Sequence, residues 1–488
     1  MTADDFLRPI RLDGAGNPTW PLPELDVPQQ DAWLLLHDGE CQLNPKLAEL
    51  VLRNAAERPD IALFYGDEVV ADPVSPEEPV QILKPDFDLT QLQATDYVGW
   101  PLLMKARIFA AVAPNCLPRS GAFSYELLLR TVSAGYAIAR IPEILSVRGG
   151  PVLRAPAAER RTVLERWVDE NDPECEVQDG RIQGTFRLSR RFDQLPAVTL
   201  VIPTGQARCA VGDTSPRGRP HILNLLDSLS RSSWPADRLT VLIGDDAPDG
   251  SIYEGGAWPF SLKRVSTARP AGEPFNYAQK MNMLWRQAET EQIILMNDDL
   301  VVRNADWIEA LLTFSMKEDV GGAAARLLYP DDRIQHAGMA GGPMGACTHV
   351  FVGMSANEPT YLNWADIHRE WSMVTGAAFA TRHSLLAQIG GFDERLSLEF
   401  NDIDMCMRMR MLGYRIVYTP HAELTHFESA SRGTTHRPGS EVALFLQRWR
   451  DLLSDDPAYH PRLPRRSTNP ATVQNAMPLW FERLDEIS

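Results

Sequence analysis

Three apolar runs, each closing on polar or acidic residues, limit what this chain can fold into. They are "AVTLVIPTG" from Ala197, "RLTVLIGDDAPDG" from Arg238 and "QIILMNDDLVV" from Gln292. Each is short, continuous and rich in β-branched residues, the signature of a strand buried on both faces. Between them lie segments of helical period. "HILNLLDSLSRSSW" puts Ile222, Leu225, Leu226 and Leu229 on one face, and "NYAQKMNMLWRQAE" is a second helix. Strands alternating with helices predict an α/β fold with a doubly wound, mainly parallel sheet. Ligands of such sheets sit at the carboxyl ends of the strands. Two of these runs deliver acids there: Asp245 and Asp246 after one, Asp298 and Asp299 after the other.

A chain of 488 residues exceeds what one core usually organises. We read residues 1–30 as an irregular lead-in, 31–150 as a smaller α/β module, and 151–195 as a connector helix with a small β segment. Residues 196–435 form the large α/β block, and 436–488 a helix with a proline-rich tail. The two α/β parts share an internal repeat. "WLLLHDGECQLNPKLAELV" from Trp33 parallels "IILMNDDLVVRNADWIEALL" from Ile293, and "SYELLLRTVSAGYAIARIPEIL" from Ser124 parallels "NDIDMCMRMRMLGYRIVYTPHAEL" from Asn401. The first copy has His37-Asp38-Gly39 for Asn297-Asp298-Asp299, and Ser124-Tyr125-Glu126 for Asn401-Asp402-Ile403. It has no counterpart of the "VTLVIPT" and "LIGDD" strands, so it reads as a truncated half-copy that kept its packing pattern and lost most of its acids.

Composition narrows the partners. A formal charge of −17 excludes nucleic acid as a non-specific partner, and an anionic ligand would need a metal ion or a helix N-terminus. No apolar run reaches bilayer length, and "MTADDFLRPIRLDG" is no secretory signal. A cytoplasmic protein is expected, with room for peripheral contact with the inner membrane face and for self-association. The six cysteines form no CxxC pair, which fits reduced thiols.

In "NDD", Asn297 and Asp299 share one side of an extended chain. One or two carboxylates here suit a hard divalent cation whose remaining shell is water and phosphate, although acids after a strand also form turns and caps. In "EFNDIDMCMRMRMLG", Asn401 reads as the N-cap of a helix through Leu412, with Asp404 near a capping box and spaced to pair with Arg408. Ile403, Met407 and Met411 form one buried row, and Gly413 ends the helix. Asp402 is then left over, either as a general base toward a hydroxyl or as an acid favouring the helix dipole. His426, after "YRIVYTP", could complete a metal shell with Asp299 or be a packed histidine. Asp245 and Asp246 could accept from a base or ribose, or simply form a turn.

Together, "VTLVIPT", "LIGDD", "FNYAQKMN", "LMNDDLVV", "TGAAFATR", "GGFDERLSLEFNDIDMCMRMRMLGYRIVYTPHAELTHFES" and "SRG" resemble a family 2 glycosyltransferase of the GT-A fold. The likeness covers Val198 to about Leu463. "ALFYGDEVV" and "KPDFDLTQLQATDYVGW" resemble the bacterial O-antigen and polysaccharide transferases of that family, of rhamnosyltransferase type. The resemblance implies inverting transfer of a sugar from a nucleotide-diphosphate donor to a hydroxyl of a glycan or lipid-linked acceptor. It implies Asp402 as the base, and Asp299 and His426 as ligands of Mn²⁺ or Mg²⁺. Asp298 would hold the ribose or diphosphate, Thr204, Asp246 and Asp245 the nucleotide, and Asn276 and Asn282 would line the donor pocket. Asn297 departs from a strict DXD motif and leaves fewer charges for a metal. Trp371 and His349, in the loop "GGPMGACTHVFVGMSANEPTYLNWADIHREW", are candidate acceptor contacts. The alternatives are a transferase-like scaffold or glycan-binding protein without turnover, and a nucleotidyltransferase. The latter lacks a glycine-rich basic loop, "PTGQARCAVGDTSPRGRPH" being the nearest stretch.

Overall fold

The computed structural model describes residues 7–11, 32–38, 41–71, 79–117, 120–149, 155–208, 218–270, 272–427, 439–472 and 478. Cys209, the "SRG" motif and the end of the proline-rich tail lie outside the described residues. The chain forms two compact units. One comprises Met1–Leu188, Tyr459–Leu463 and Thr472–Ser488; the other comprises Ser189–Ala458 and Pro464–Ala471. The helix Gly439–Ser454 is therefore part of the second unit.

The second unit is built on a ten-stranded sheet whose main path runs Ser261–Ser266, Leu239–Asp245, Val198–Thr204, Gln292–Met296, Ala378–Arg382, Val320–Leu328, Arg415–His426 and Leu300–Val302. The first four strands are mutually parallel. Val198–Thr204, first in the chain, lies between Leu239–Asp245 and Gln292–Met296, so the direction of winding reverses beside it. Such a reversal opens a crevice at the carboxyl ends. Val198–Thr204 and Gln292–Met296 are buried at every position, as their unbroken apolar runs predict.

The remaining strands return to the same edge. Ala378–Arg382 runs antiparallel to Gln292–Met296 with Ala378 opposite Met296, which brings its leading residues, Gly376 and Ala377, to the carboxyl edge. Arg415–His426 runs parallel to Val320–Leu328 and ends at His426, opposite Leu300. The helix His221–Leu229 buries Ile222, Leu225, Leu226 and Leu229, each contributing roughly 1.5–3 kcal/mol of transfer free energy.

The first unit repeats this plan in part. Its sheet runs Leu7–Arg11, Trp33–His37, Leu102–Lys105, Ile61–Ala71, Ala137–Gly149 and Cys41–Leu43. The pairings are parallel, antiparallel, antiparallel, parallel and antiparallel. From Val198–Thr204 to Leu300–Val302 the second unit has the same succession. The internal repeat is thus a repeat of topology. One expectation is corrected. The lead-in contributes the strand Leu7–Arg11, paired with Trp33–His37 from Leu7↔Trp33 to Arg11↔His37; it stands where Val198–Thr204 stands in the second unit, so the first copy does have a counterpart of the "VTLVIPT" strand. "LRPIR" hides this strand because proline and two arginines break its apolar run, a composition tolerated at a sheet edge.

Candidate active site

At the reversal point Thr204 and Asp298, from the ends of adjacent strands, join through a short hydrogen bond from the threonine hydroxyl. Lys280, buried in the helix Tyr277–Trp285, donates to the Thr204 carbonyl and to Asp246 Oδ1, both at 2.8 Å. Burial lowers the pKa of this ammonium and its acidic neighbours offset part of the effect. Thr267 also donates to Asp246 Oδ1, at 2.8 Å. Asp245 is fully buried and accepts from Gln206 at 2.9 Å, Arg264 at 3.0 Å and Tyr253 at 3.2 Å. The two aspartates of "GDD" therefore differ: Asp245 anchors the loop, and Asp246 holds a lysine at the crevice.

Asp299 and His426 meet directly, with Oδ1 and Nε2 3.2 Å apart. The backbone brings them together, since Leu300 is paired with His426 and Phe427 N–H donates to the Asp299 carbonyl at 3.0 Å. Asn297 Nδ2 lies 3.4 Å from the same imidazole nitrogen, and its Oδ1 accepts from Tyr277 at 3.3 Å. Burial and the charge of Asp299 push Asp298 up to about 7. Burial acts the same way on Asp299, but the charges and hydrogen bond of His426 and the charge of His221 outweigh it and hold this carboxyl low. Among the described residues no group of three or more His, Cys, Asp or Glu is placed to hold a metal. Asp299 and His426 form a pair, one carboxylate and one imidazole. That donor set fits a divalent cation whose shell is completed by water and diphosphate.

Asp402 is reached through the antiparallel strand. Asn297 N–H donates to the Ala377 carbonyl, and the neighbouring Gly376 N–H donates to Asp402 Oδ2, both at 2.9 Å. Asp402 Oδ1 accepts from Ile403 N–H at 2.9 Å. The structure thus carries Asp402 to the edge that bears Asn297. Its helix, Asn401–Met411, differs from expectation at both ends. Asn401 is the first helical residue, and the N-cap is Phe400, left-handed at φ 60°. Ile403 and Met407 are buried but Met411 is 64% exposed, so the apolar row stops a turn early. Asp404 pairs with Arg408 at 2.7 Å, and Gly413 follows with φ 89°.

The other predicted residues occupy different surroundings. Asn276 caps the helix Tyr277–Trp285 and donates to the Glu394 carbonyl at 2.8 Å. Asn282 is buried, donates to the Phe392 carbonyl and Glu394, and accepts from Trp285 and Phe392 N–H. Both amides brace the "GGFDE" turn. The structure places Trp371 in the interior, with Arg369 over its ring at 3.9 Å. His349 is half-buried, 3.0 Å from the buried His336, whose pKa is driven well down by burial and then by the charges of His349 and His426. Sequence reasoning missed Lys280, Thr267 and Gln206. A lysine on an otherwise buried helix face was the available signal for Lys280.

The profile of the family described as "Glycosyltransferase like family 2" matches residues 196–449, just over half of the chain. An uncharacterized protein of Sinorhizobium fredii is 29% identical over 88% of this chain and 48% of its own length. The O-antigen biosynthesis protein RfbC of Myxococcus xanthus is 27% identical over 88% of this chain and 34% of its own length. An N-acetylglucosaminyl-diphospho-decaprenol L-rhamnosyltransferase of Mycobacterium tuberculosis is 26% identical over 51% of this chain and 85% of its own length. The chain thus spans half or less of the length of the first two relatives.

Proposed function

The chain belongs to glycosyltransferase-like family 2, and on that premise we propose that it is a metal-dependent, inverting glycosyltransferase of surface-polysaccharide assembly. It moves a sugar from a nucleotide-diphosphate donor to a hydroxyl of a glycan or lipid-linked acceptor. The observation that carries this reading is the gathering of Thr204, Asp246, Asp298, Asp299, His426 and Asp402 along one carboxyl edge of one sheet.

In this reading Asp246 and Thr204 receive the nucleotide at the reversal point, and Asp298 contacts the ribose or diphosphate. Asp299 and His426 would hold Mn²⁺ or Mg²⁺, which when bound would supply positive charge to stabilise the leaving diphosphate. Asp402 takes the proton of the attacking hydroxyl. Gly376 N–H and Ile403 N–H orient its two oxygens, and a carboxylate has lone pairs remaining for that proton. Attack on the face opposite the diphosphate inverts the anomeric carbon.

We assign the first unit no turnover. Its Asp38 is ion-paired with buried Arg148 at 2.9 Å, and its Glu126 with Arg130 at 2.8 Å. Among the described residues no helix is long and apolar enough to cross a membrane. We place the protein on the cytoplasmic side, where nucleotide sugars would reach it, in peripheral contact with the inner membrane face.

The test is release of nucleoside diphosphate from a panel of UDP-, GDP- and dTDP-sugars with Mn²⁺. At least one should turn over, EDTA should stop it, and Asp402→Asn should lower kcat by about 10²–10⁴ with nucleotide affinity unchanged. No turnover of any donor would favour the scaffold reading. Full activity in EDTA would remove Asp299 and His426 as metal ligands.

A further inference from the structure

We propose that Glu441, in the first turn of the helix Gly439–Ser454, is a positioning residue that sets the placement of Asp402; this rests on the reading of Asp402 as the base. Glu441 is 4% exposed. Its carboxylate accepts from three successive backbone N–H groups, Ser397 at 3.1 Å, Leu398 at 3.3 Å and Glu399 at 2.8 Å, and from the Ser397 hydroxyl. These donors belong to the segment that enters the Asp402 helix.

That segment needs external support. Its N-cap, Phe400, is left-handed and makes no side-chain cap. A non-glycine residue in that region is strained and persists only where its surroundings over-determine it. Here the surroundings come from one face of the Gly439–Ser454 helix. Four residues after Glu441, Phe445 stacks on the Phe400 ring, with centroids 4.3 Å apart and planes at 10°. One turn further, Arg448 and Trp449 donate to Asp404 Oδ1 at 2.8 and 3.0 Å. The helix therefore grips the chain at Ser397–Glu399, at Phe400 and at Asp404, with Asp402 between the grips. The far end of the gripped segment is tied to the crevice, because Tyr277 N–H donates to the Ser397 carbonyl at 2.8 Å. A deprotonated carboxylate is an acceptor only, so it suits a ring of N–H donors. A glutamine would turn donors toward donors.

The experiment compares Glu441→Gln with Asp402→Asn and with the unaltered protein. Hydrogen exchange should show the amides of Ser397–Glu399 opening at least about tenfold faster in E441Q, with exchange at Asn297–Asp299 unchanged. Turnover is read with Mn²⁺ and the fastest nucleotide sugar of the UDP-, GDP- and dTDP-sugar panel. E441Q should lose about tenfold or more in kcat while donor KM stays within about twofold. Unchanged exchange, unchanged kcat, or a parallel loss of donor binding in E441Q overturns the proposal. If D402N is inactive in the same series, the base reading survives that failure. An active D402N overturns both. If E441Q does not fold, Glu441→Asp, which keeps the charge but withdraws the carboxylate from the Ser397–Glu399 amides, is read by the same criteria.

Discussion

Gly376 shows how little room the site leaves at single residues. A Cβ added there would meet Asp402 Cβ at 3.1 Å, so one of the two must give by a few tenths of an ångström. The same glycine supplies the N–H that orients Asp402 Oδ2. Gly376→Ala should therefore lower kcat by about tenfold with little change in donor KM, measured in the nucleotide-release assay, because small misplacements of a reacting group are costly. Unchanged kcat would mean that Asp402 need not sit where the structure holds it. The residues whose place was legible in the sequence were those fixed by local position, such as the acids ending "GDD" and "NDD". Lys280 was not legible, because its partners Thr204 and Asp246 lie 76 and 34 residues away.

Among elements, the continuous apolar strands and the face of His221–Leu229 were legible from periodicity, and the structure shows them where expected, whereas the row of Ile403, Met407 and Met411 ends before Met411. The start of the Asp402 helix was not legible. Asn401 has the right chemistry for a cap, yet a left-handed Phe400 takes that place, held by Phe445 of the downstream helix Gly439–Ser454. Local propensity contains no term for such a contact. Close packing within the sheet gives a test at this scale. Gly322, in Val320–Leu328, faces Phe379, whose ring would lie 2.0 Å from an added Cβ. Gly322→Ala should cost about 1–3 kcal/mol in denaturant unfolding through overpacking. A neutral result would show that the Phe379 ring can move aside.

At the scale of the whole molecule, two units share one strand succession, but the first keeps only Asp38, in the place of Asp298, and has Gly39 and Tyr125 in the places of Asp299 and Asp402. In the first unit Arg148 neutralises Asp38 and lies 3.6 Å from Glu68, while Lys84 pairs with Glu68 at 3.1 Å. Removing one member of such a buried network typically costs about 3 kcal/mol. Asp38→Asn should therefore lower stability by that order and leave nucleotide release within about twofold, assayed below the unfolding transition. Lost turnover in a folded variant would give the first unit a part in the chemistry. The half-copy was legible from its matching sequence stretches, whereas its opening strand, Leu7–Arg11, was masked by proline and charge.

We propose that one crevice presents Asp299 and His426 to a cation, with Asp402 on the same sheet edge. Crystals soaked with MnCl₂ and inorganic pyrophosphate, read by manganese anomalous scattering, test it most directly. One peak should stand within bonding distance of an Asp299 oxygen and His426 Nε2, with pyrophosphate filling the shell on the crevice side. A peak elsewhere, or none at these residues, would contradict it.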